Sequence, residues 1–248
     1  MTYFDRQVEK LLKEKYSGVE SEGFYADSVR IRTGEPYEYV LGYTDFLDAR
    51  IDLSDRPMIP RLETAFWVNR AIEELRQKTG PLRLADTFSG AGNVGVALLK
   101  HLPNAMVDFS EFDENLKPQI EKNILINELD LSRAHVVMDS DVRGLTGTYD
   151  AILAVPPYVP YEALPDLDPE MIDYEPHLAF FAHDNGHEFH KILIEKAWDM
   201  LNEGGTLYME ADMGHNDTIT QFVQGTQWSK LEFWPDPYGA MPNVILRK

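Results

Sequence analysis

The stretch Tyr149-Asp150-Ala151-Ile152-Leu153-Ala154-Val155-Pro156-Pro157-Tyr158 joins an apolar strand directly to a corner of two prolines and an aromatic residue. Proline fixes φ and restricts the residue before it, so this corner holds its backbone carbonyls in a defined direction. A rigid carbonyl can accept a hydrogen bond from an amino group, and the Tyr158 ring can stack on a flat acceptor. The stretch predicts a catalytic site at Val155, Pro156, Pro157 and Tyr158 that orients a planar nitrogen, so that proximity and alignment supply most of the catalysis.

A second junction between a strand and a loop lies upstream, where the strand Leu82–Ala85 leads into Asp86-Thr87-Phe88-Ser89-Gly90-Ala91-Gly92. With Gly95, this loop has the spacing G-x-G-x-x-G, which lets a backbone approach a ligand closely and directs the free N–H groups of the next helix at it. A tight turn between a strand and a helix has the same spacing. The functional interpretation is a nucleotide-type cofactor bound by the following residues: Asp86, Phe88, Ser89, Gly90, Ala91 and Gly92.

Polar side chains also follow the next two strands. Glu111 ends the second strand and could accept hydrogen bonds from both hydroxyls of a ribose, which fits a nicotinamide dinucleotide and S-adenosylmethionine equally. Asp139 and Ser140 follow the third strand and could bind the exocyclic amine of adenine, although a solvated turn would have the same composition. The Pro-Pro corner favours the methyl donor, because it suits transfer to a nitrogen.

Strands and amphipathic helices alternate from residue 81 onwards, and this alternation predicts a mainly parallel Rossmann-like α/β sheet with helices on both faces. Ligands of such sheets bind at the carboxyl ends of the strands, where the strand order reverses. The expected strands are Leu82–Ala85, Ala105–Phe109, His135–Met138, Ala151–Val155 and Thr206–Glu210, followed by an antiparallel hairpin of Leu231–Trp234 and Val244–Arg247; the expected helices are 93–101, 114–127, 187–201 and 217–225. Before them, we expect an amphipathic helix over Tyr3–Tyr16, strands over 39–43 and 46–53, and a helix ending at Thr79-Gly80. This divides the chain into a short N-terminal helical and hairpin extension, residues 1–60, and a catalytic domain, residues 61–248.

Composition excludes several functions. The chain has 248 residues, of which 23 are basic and 42 acidic, and its net charge of −19 opposes binding along a nucleic-acid backbone. It contains no cysteine, and therefore no disulfide and no thiolate metal site. There is no apolar run of membrane-spanning length and no secretory stretch at the N-terminus, so we expect a cytoplasmic protein that binds no membrane.

Three histidines, His183, His187 and His190, fall on one helical face with Asp184 nearby, which is a possible metal-ligand geometry. Gly186 is expected to begin the helix and to leave His183 outside it, so a solvated helix start is the favoured interpretation and no metal site is predicted. The carboxylates of Glu162, Asp166, Asp168, Glu170, Asp173 and Glu175 are expected to form a solvated loop or to line the entrance for the acceptor.

The order of these motifs resembles the class I S-adenosylmethionine-dependent methyltransferases that modify a glutamine side-chain amide of peptide-chain release factors (the HemK/PrmC family). The segment Gly34–Gly42, with Phe46, looks like the linker hairpin of that family, and Ile59-Pro60-Arg61-Leu62-Glu63-Thr64 looks like its Pro-Arg-Pro-Glu-Thr segment beside the cofactor. Glu175–Ala179, with Asp184-Asn185-Gly186, is similar to its Glu-Pro-x-x-Ala-Leu region, and Gly204–Glu210 matches its fifth strand.

The resemblance implies that S-adenosylmethionine lies over Gly90 and Gly92, with Arg61, Thr64 and Val155 beside it, and leaves as S-adenosylhomocysteine. It implies methylation of a glutamine in a release factor. Val155 stands where the family has an asparagine that would bond the acceptor amide. This leaves open a different acceptor (a small molecule, a carboxylate or an adenine amine) or a divergent homologue that turns over slowly. Phe88 replaces the first glycine of the loop, where an aromatic residue is tolerable if its φ stays negative. The N-terminal lobe is shorter than usual, so docking of the protein substrate is expected to be reduced or different.

Overall fold

The computed structural model describes residues 2–139, 142–236, 238–239 and 243–248, with the side chain of Met213 left out. The helices within these ranges are α1 (Tyr3–Glu14), α2 (Glu22–Arg32), α3 (Tyr37–Leu41), α4 (Leu62–Leu75), α5 (Asn93–His101), α6 (Lys117–Ile126), α7 (Pro169–Tyr174), α8 (Glu188–Met200) and α9 (Asn216–Val223). The strands are β1 (Tyr43–Phe46), β2 (Ala49–Asp52), β3 (Leu82–Thr87), β4 (Ala105–Glu111), β5 (Ala134–Met138), β6 (Tyr149–Ala154), β7 (Val159–Pro160), β8 (Phe181–Ala182), β9 (Leu201–Met209), β10 (Lys230–Trp234) and β11 (Asn243–Arg247).

Seven strands form the central sheet in the order β10-β11-β9-β6-β3-β4-β5, with parallel pairing from β9 to β5 and an antiparallel hairpin of β10 and β11 at one edge. Alternate residues of β6 pack into cores on opposite faces, Ala151 and Leu153 on one face and Ile152 and Ala154 on the other. The parallel α/β fold expected from the sequence is confirmed. The strand order reverses between β3 and β6, whose carboxyl ends lie side by side with Thr87 opposite Ala154.

The N-terminal region differs from the expected pair of strands over 39–43 and 46–53. Residues 37–41 form the short helix α3, which begins after Pro36 and ends at Gly42 in the left-handed conformation with a φ of 98°. A short run of apolar residues fits a buried helix as well as a strand, and here the flanking proline and glycine set its ends. The hairpin does exist, but it consists of β1 and β2. Helix α2 precedes it, in a segment whose residues show no clear periodic pattern.

Helices α1 to α3 have a small apolar core of their own, built from Leu11, Phe24, Ile31, Tyr37 and Val40. The β1–β2 hairpin instead packs on α5 and α6 and contributes Phe46 and Ile51 to the core of the central sheet. The division of the chain at residue 60 stays a prediction. None of the helices in the described part of the chain combines the length and the apolar character needed to cross a membrane.

Candidate active site

A cavity opens at the carboxyl ends of β3, β4, β5 and β6, where the strand order reverses. Most of the cofactor-binding residues expected from the sequence line it: Arg61, Thr64, Phe88, Ser89, Gly90, Ala91, Glu111, Asp139 and Val155. The cavity wall also includes Met58, Phe112, Leu116, Pro157 and Phe189, which are mostly apolar. The arrangement suits a flat, partly apolar ligand that carries a few polar groups.

The glycine loop turns in the left-handed conformation at Phe88, Gly90 and Gly92, with φ values of 59°, 54° and 76°. Phe88 therefore does not have the negative φ that was the condition for tolerating an aromatic residue here. A side chain at this φ costs about 1–2 kcal/mol, and the Phe88 ring offsets part of this by packing edge-on against Phe189, with ring centroids 5.1 Å apart. Gly92 begins α5 and lies against Ile120, which a Cβ at Gly92 would approach to 3.1 Å.

Asp86 lies behind the loop rather than at the cavity, and its side chain is buried. Its Oδ2 accepts a hydrogen bond of 2.8 Å from the backbone N–H of Gly95 in the first turn of α5. Burial raises the pKa of Asp86 well above its usual range, and the neighbouring Glu111 carboxylate adds to the effect. Gly95 leaves room for β4, because a Cβ there would lie 2.1 Å from Cε1 of Phe109. Asp86 therefore fixes the start of the helix that supports the loop.

Glu111 ties the glycine loop to the end of β4. Its Oε2 accepts a bond of 2.7 Å from the N–H of Gly90, and its Oε1 accepts bonds of 2.8 Å from the N–H groups of Phe112 and Asp113. Burial raises the pKa of Glu111, against the lowering effect of these three donors. A carboxylate has about four acceptor sites, so Glu111 retains room for about one hydrogen bond from a ligand hydroxyl.

Asp139 follows β5 and lines the cavity beside Glu111, whose carbonyl accepts a 2.8 Å bond from the Asp139 N–H. Gly144 makes room for this side chain, since a Cβ at Gly144 would lie 2.4 Å from Cβ of Asp139. No sequence motif marked Gly144 for this role. Ser140, expected beside Asp139, lies outside the described residues.

The Pro-Pro corner separates this cavity from a second one. Val155 and Arg61 line both cavities, whereas Pro156 and Tyr158 line only the second and Pro157 only the first. The N–H of Val155 lies 3.4 Å from the carbonyl oxygen of Thr87, which places the corner directly beside the glycine loop. The structure thus brings together the two strand ends that the sequence analysis selected, with one cavity for each.

Glu210, at the end of β9, is a buried carboxylate that the sequence analysis did not assign to the site. Its Oε2 accepts hydrogen bonds from the Thr64 hydroxyl at 2.7 Å and the Trp67 indole at 2.8 Å, and its Oε1 accepts one from the Tyr158 hydroxyl at 3.0 Å. Burial, followed by the Glu210 carboxylate, raises the pKa of Tyr158 well above its ordinary value, so the phenol stays protonated. An acidic residue at the end of an apolar strand was the one signal that could have identified Glu210.

Glu175 connects two segments that resemble the family, the one that it begins, Glu175–Ala179, and the one at Ile59–Thr64. Its Oε2 accepts from the Ile59 N–H at 2.8 Å, and its Oε1 pairs with the Arg61 guanidinium at 2.6 Å. Glu175 is therefore buried and paired, unlike the solvated loop residue that was expected. The other loop carboxylates are exposed or half-buried.

No protein-family model matches the chain. Three proteins named release factor glutamine methyltransferase are similar to it over most of its length. The protein from Bacteroides thetaiotaomicron is 30% identical over 85% of this chain and 75% of its own. The protein from Lactococcus lactis is 27% identical over 89% of this chain and 80% of its own. The protein from Deinococcus radiodurans is 28% identical over 93% of this chain and 81% of its own.

Solved structures of methyltransferases share the fold at low sequence identity. A methyltransferase from Pyrococcus furiosus has a TM-score of 0.53 and 19% sequence identity, over 74% of this chain and 84% of its own. A ribosomal protein methylase from Lactobacillus delbrueckii has a TM-score of 0.54 and 18% sequence identity, over 79% of this chain and 83% of its own. An rRNA methyltransferase of T. thermophilus, in complex with AdoMet and guanosine, has a TM-score of 0.57 and 13% sequence identity, over 83% of this chain and 49% of its own. With this fold, with a cavity at the expected strand ends and with a 30% identical relative that it covers for the most part, the chain belongs to the release factor glutamine methyltransferase family and is an S-adenosylmethionine-dependent methyltransferase.

Proposed function

We propose that this methyltransferase modifies the side-chain amide of a glutamine in a peptide-chain release factor. The observation that carries the proposal is the meeting of two cavities at Val155, one beside the glycine loop and one beside Tyr158. A donor in the first cavity and an acceptor in the second would face each other across the Pro-Pro corner. The names of the relatives supply the class of acceptor.

The residues that line the first cavity suit the polar and apolar groups of S-adenosylmethionine. Gly90 presents no side chain to it, and nothing lies within 4 Å of where a Cβ would be, so a ligand can approach the backbone. We assign the ribose to the remaining acceptor site of Glu111 and the adenine amine to Asp139, with Phe112 and Leu116 as the apolar walls. When bound, the cofactor supplies an electrophilic methyl group carried on a sulfonium.

The second cavity has a buried acceptor group in place of the missing asparagine. Val155 can form no hydrogen bond through its side chain, but Glu210 also lines this cavity. Three donors among the described residues bond to Glu210, and a carboxylate has about four acceptor sites. We assign the remaining site to an N–H of the acceptor amide. Glu210 and the fixed backbone of the corner would then aim the amide nitrogen, and Glu210 could take up the proton that the nitrogen releases.

The surface beside the second cavity is acidic. Met171 of α7 lines this cavity, and exposed carboxylates lie on the same helix and on the turn before it, at Asp166, Asp168 and Asp173. Complementary charge accelerates association and selects partners, so this surface supports docking of a basic protein segment rather than a phosphate backbone. Because the charges are exposed, the association should weaken as salt is added.

Val155 also favours a second candidate function, methylation of an acceptor that needs no asparagine. An apolar side chain at this position leaves the acceptor amide without one bidentate partner, and a lost buried hydrogen bond costs about 1–3 kcal/mol. A small molecule, such as one that presents a carboxylate or an adenine amine, would avoid this cost.

The experiment is to incubate the purified chain with methyl-labelled S-adenosylmethionine and a release factor, and in parallel with a protein-free extract of small molecules. Peptide mass analysis should find one added methyl group on one glutamine of the release factor, and replacing that glutamine by alanine should abolish it. A Glu210→Gln variant is the matched control, since it keeps the size of the side chain but removes its negative charge.

Each outcome decides between the candidates. Label that appears only in small molecules excludes the release factor and supports the second candidate. Calorimetric binding of the cofactor without transfer to any acceptor identifies a divergent homologue that has lost turnover. Transfer that Glu210→Gln leaves unchanged excludes the assigned role of Glu210 but not the substrate.

A further inference from the structure

Three buried histidines meet beside the acceptor site, in neither of the two cavities. His187 and His190 come from the start of α8, and His215 from the turn before α9. One ring nitrogen of each lies within 4.8 Å of a ring nitrogen of both others. His187 and His190 were expected on one helical face with His183, but His183 is exposed, and His215 lies beside the two instead.

The three rings have unused electron pairs. Among the residues that the structure describes, none forms a hydrogen bond with Nδ1 of His187, His190 or His215, although all three atoms are buried. Buried polar atoms in proteins are nearly always hydrogen-bonded, so each exception calls for a reason. Three such atoms on three adjacent rings point to a shared partner outside the chain.

The protonation state of His190 suits a metal ligand. Its Nε2 lies 3.0 Å from the carbonyl oxygen of Glu210, which can only accept, so Nε2 carries the proton of the neutral ring and Nδ1 keeps its lone pair. A carbonyl bound to the other ring nitrogen is the usual way in which a metal-binding histidine is oriented. The Gly186 backbone also acts on the His190 ring, but it does not reach hydrogen-bond geometry with Nδ1, so this lone pair stays available to an ion.

We propose that His187, His190 and His215 bind a divalent transition-metal ion of the class that prefers imidazole, represented by Zn²⁺. Zinc binds histidine nitrogen at about 2.0–2.1 Å in a tetrahedral arrangement, which places two ligand nitrogens roughly 3.3 Å apart. The widest separation of 4.8 Å would close by small rotations of the rings. Three protein ligands leave the fourth position for water, and both His187 and His215 retain 8% exposure through which an ion could enter.

The bound ion would connect α8 and α9 behind the Tyr158 ring. That ring is stacked on His190, with centroids 6.3 Å apart, and His215 meets it edge-on at 6.4 Å. Gly186 allows this close approach, because a Cβ there would lie 2.1 Å from the carbonyl oxygen of Tyr158. The ion would thus act as a structural support for the acceptor site and would take no part in methyl transfer.

The test uses the full chain without a histidine tag, stripped with a chelator and then titrated with Zn²⁺ against a chromophoric competitor. We expect one ion per chain by elemental analysis. Loss of an outer partner of a metal site costs 10–100-fold in affinity, so loss of a direct ligand in His187→Gln or His215→Gln should cost at least about a hundredfold. His183→Gln is the matched control, because it removes a histidine four positions before His187 and should leave the affinity within about twofold.

The stripped wild-type chain titrated with Co²⁺ gives a second measurement that does not depend on the variants folding. Tetrahedral coordination by three imidazoles should produce intense visible absorption, and Zn²⁺ should remove it. Absence of that spectrum, or of binding at one ion per chain, would overturn the proposal. So would His183→Gln losing as much affinity as His215→Gln, since the binding would then lie elsewhere. The site is independent of the proposed substrate, and failure of the release-factor assay would leave this result unchanged.

Discussion

The Tyr158 hydroxyl donates a 3.0 Å hydrogen bond to Oε1 of Glu210, so the aromatic residue of the Pro-Pro corner is fixed by the end of the neighbouring strand. Because β6 and β9 are paired, with the Glu210 N–H donating to the Ala154 carbonyl at 3.0 Å, both ends of this hydrogen bond are held by the sheet. The position of the Tyr158 ring is therefore set before any acceptor arrives.

Replacing Tyr158 by phenylalanine should separate this positioning from cofactor binding. The ring remains, but Glu210 loses a donor, and a hydrogen bond to a charged group contributes about 1.5–3 kcal/mol. We expect kcat for methyl transfer to fall by about tenfold to a hundredfold. Tyr158 does not line the cofactor cavity, so the Kd for S-adenosylmethionine, measured by calorimetry, should stay within about twofold. An unchanged kcat would contradict the role of the hydroxyl.

Val155→Asn tests whether the missing amide limits the rate. An asparagine here could bond the acceptor through both its oxygen and its nitrogen, and a regained bond of about 1–3 kcal/mol corresponds to about tenfold or more in kcat/KM. The measurement is the initial rate of release-factor methylation, with Val155→Ala as the control for side-chain size. A rate for Val155→Asn at or below that of the wild type would mean that the site is adapted to another acceptor.

Phe88 offers a measure of backbone strain. At its φ of 59° alanine is strained and glycine is not. Both substitutions lose the packing on Phe189, so the backbone strain alone separates them. We expect the free energy of unfolding of Phe88→Gly to be higher than that of Phe88→Ala by about 1 kcal/mol, whereas in a helix the alanine variant would be the more stable. Denaturant titration measures the difference. Equal stabilities, or a more stable alanine variant, would show that the loop adopts another conformation at this residue.

Asp86→Asn should change how stability depends on pH. A carboxyl group whose pKa is raised in the folded state stabilises the fold below its unfolded pKa, and this contribution is lost as pH rises through the folded pKa. Asparagine can still accept the hydrogen bond from Gly95 but carries no charge. The free energy of unfolding of the variant relative to the wild type should therefore increase with pH above about 4. Urea titrations at several pH values check this, and a relative stability that decreased with pH would mean that the Asp86 pKa is lowered instead.

Gly144→Ala should weaken cofactor binding without touching the cofactor. The added Cβ would displace Asp139, and loss of one hydrogen bond to adenine should raise the Kd for S-adenosylmethionine by about tenfold. Asp139→Ala should have the same effect, and the double variant should be no weaker than either single one, because both changes remove the same contact. Fully additive losses would contradict this explanation.

The parts of the site that the sequence predicted are local in the chain. The bounds of α5 match the expected 93–101, and the loop before it and the Pro-Pro corner both lie at strand ends, because strands, glycine turns and prolines are each encoded within a few residues. Once the alternation of strands and helices indicated a parallel sheet, the adjacency of these ends followed from the point of strand reversal.

The parts that the sequence did not predict are contacts between distant segments. Glu210 meets Thr64 and Trp67 across the sheet, and His215 joins His187 only because α8 and α9 pack together. No local pattern specifies such pairs. The left-handed φ of Phe88 was not predicted for a different reason: such a φ favours glycine, and the strain is offset by packing of the Phe88 ring on Phe189 and on the neighbouring core, which are contacts between distant segments.

The hydrogen bond from the Trp67 indole to Glu210 gives this molecule a natural optical probe. Indole fluorescence responds to nearby charge, and Trp67, which is 1% exposed, is shielded from quenchers in the solvent. An acceptor that approached Glu210 would shift the emission of Trp67. Trp198 and Trp228 pack against each other on the opposite face of the sheet, and Trp234, on the same face as Trp67, packs on Tyr208 and Arg70. Occupancy of the acceptor position could thus be followed in real time, with no label attached to either molecule.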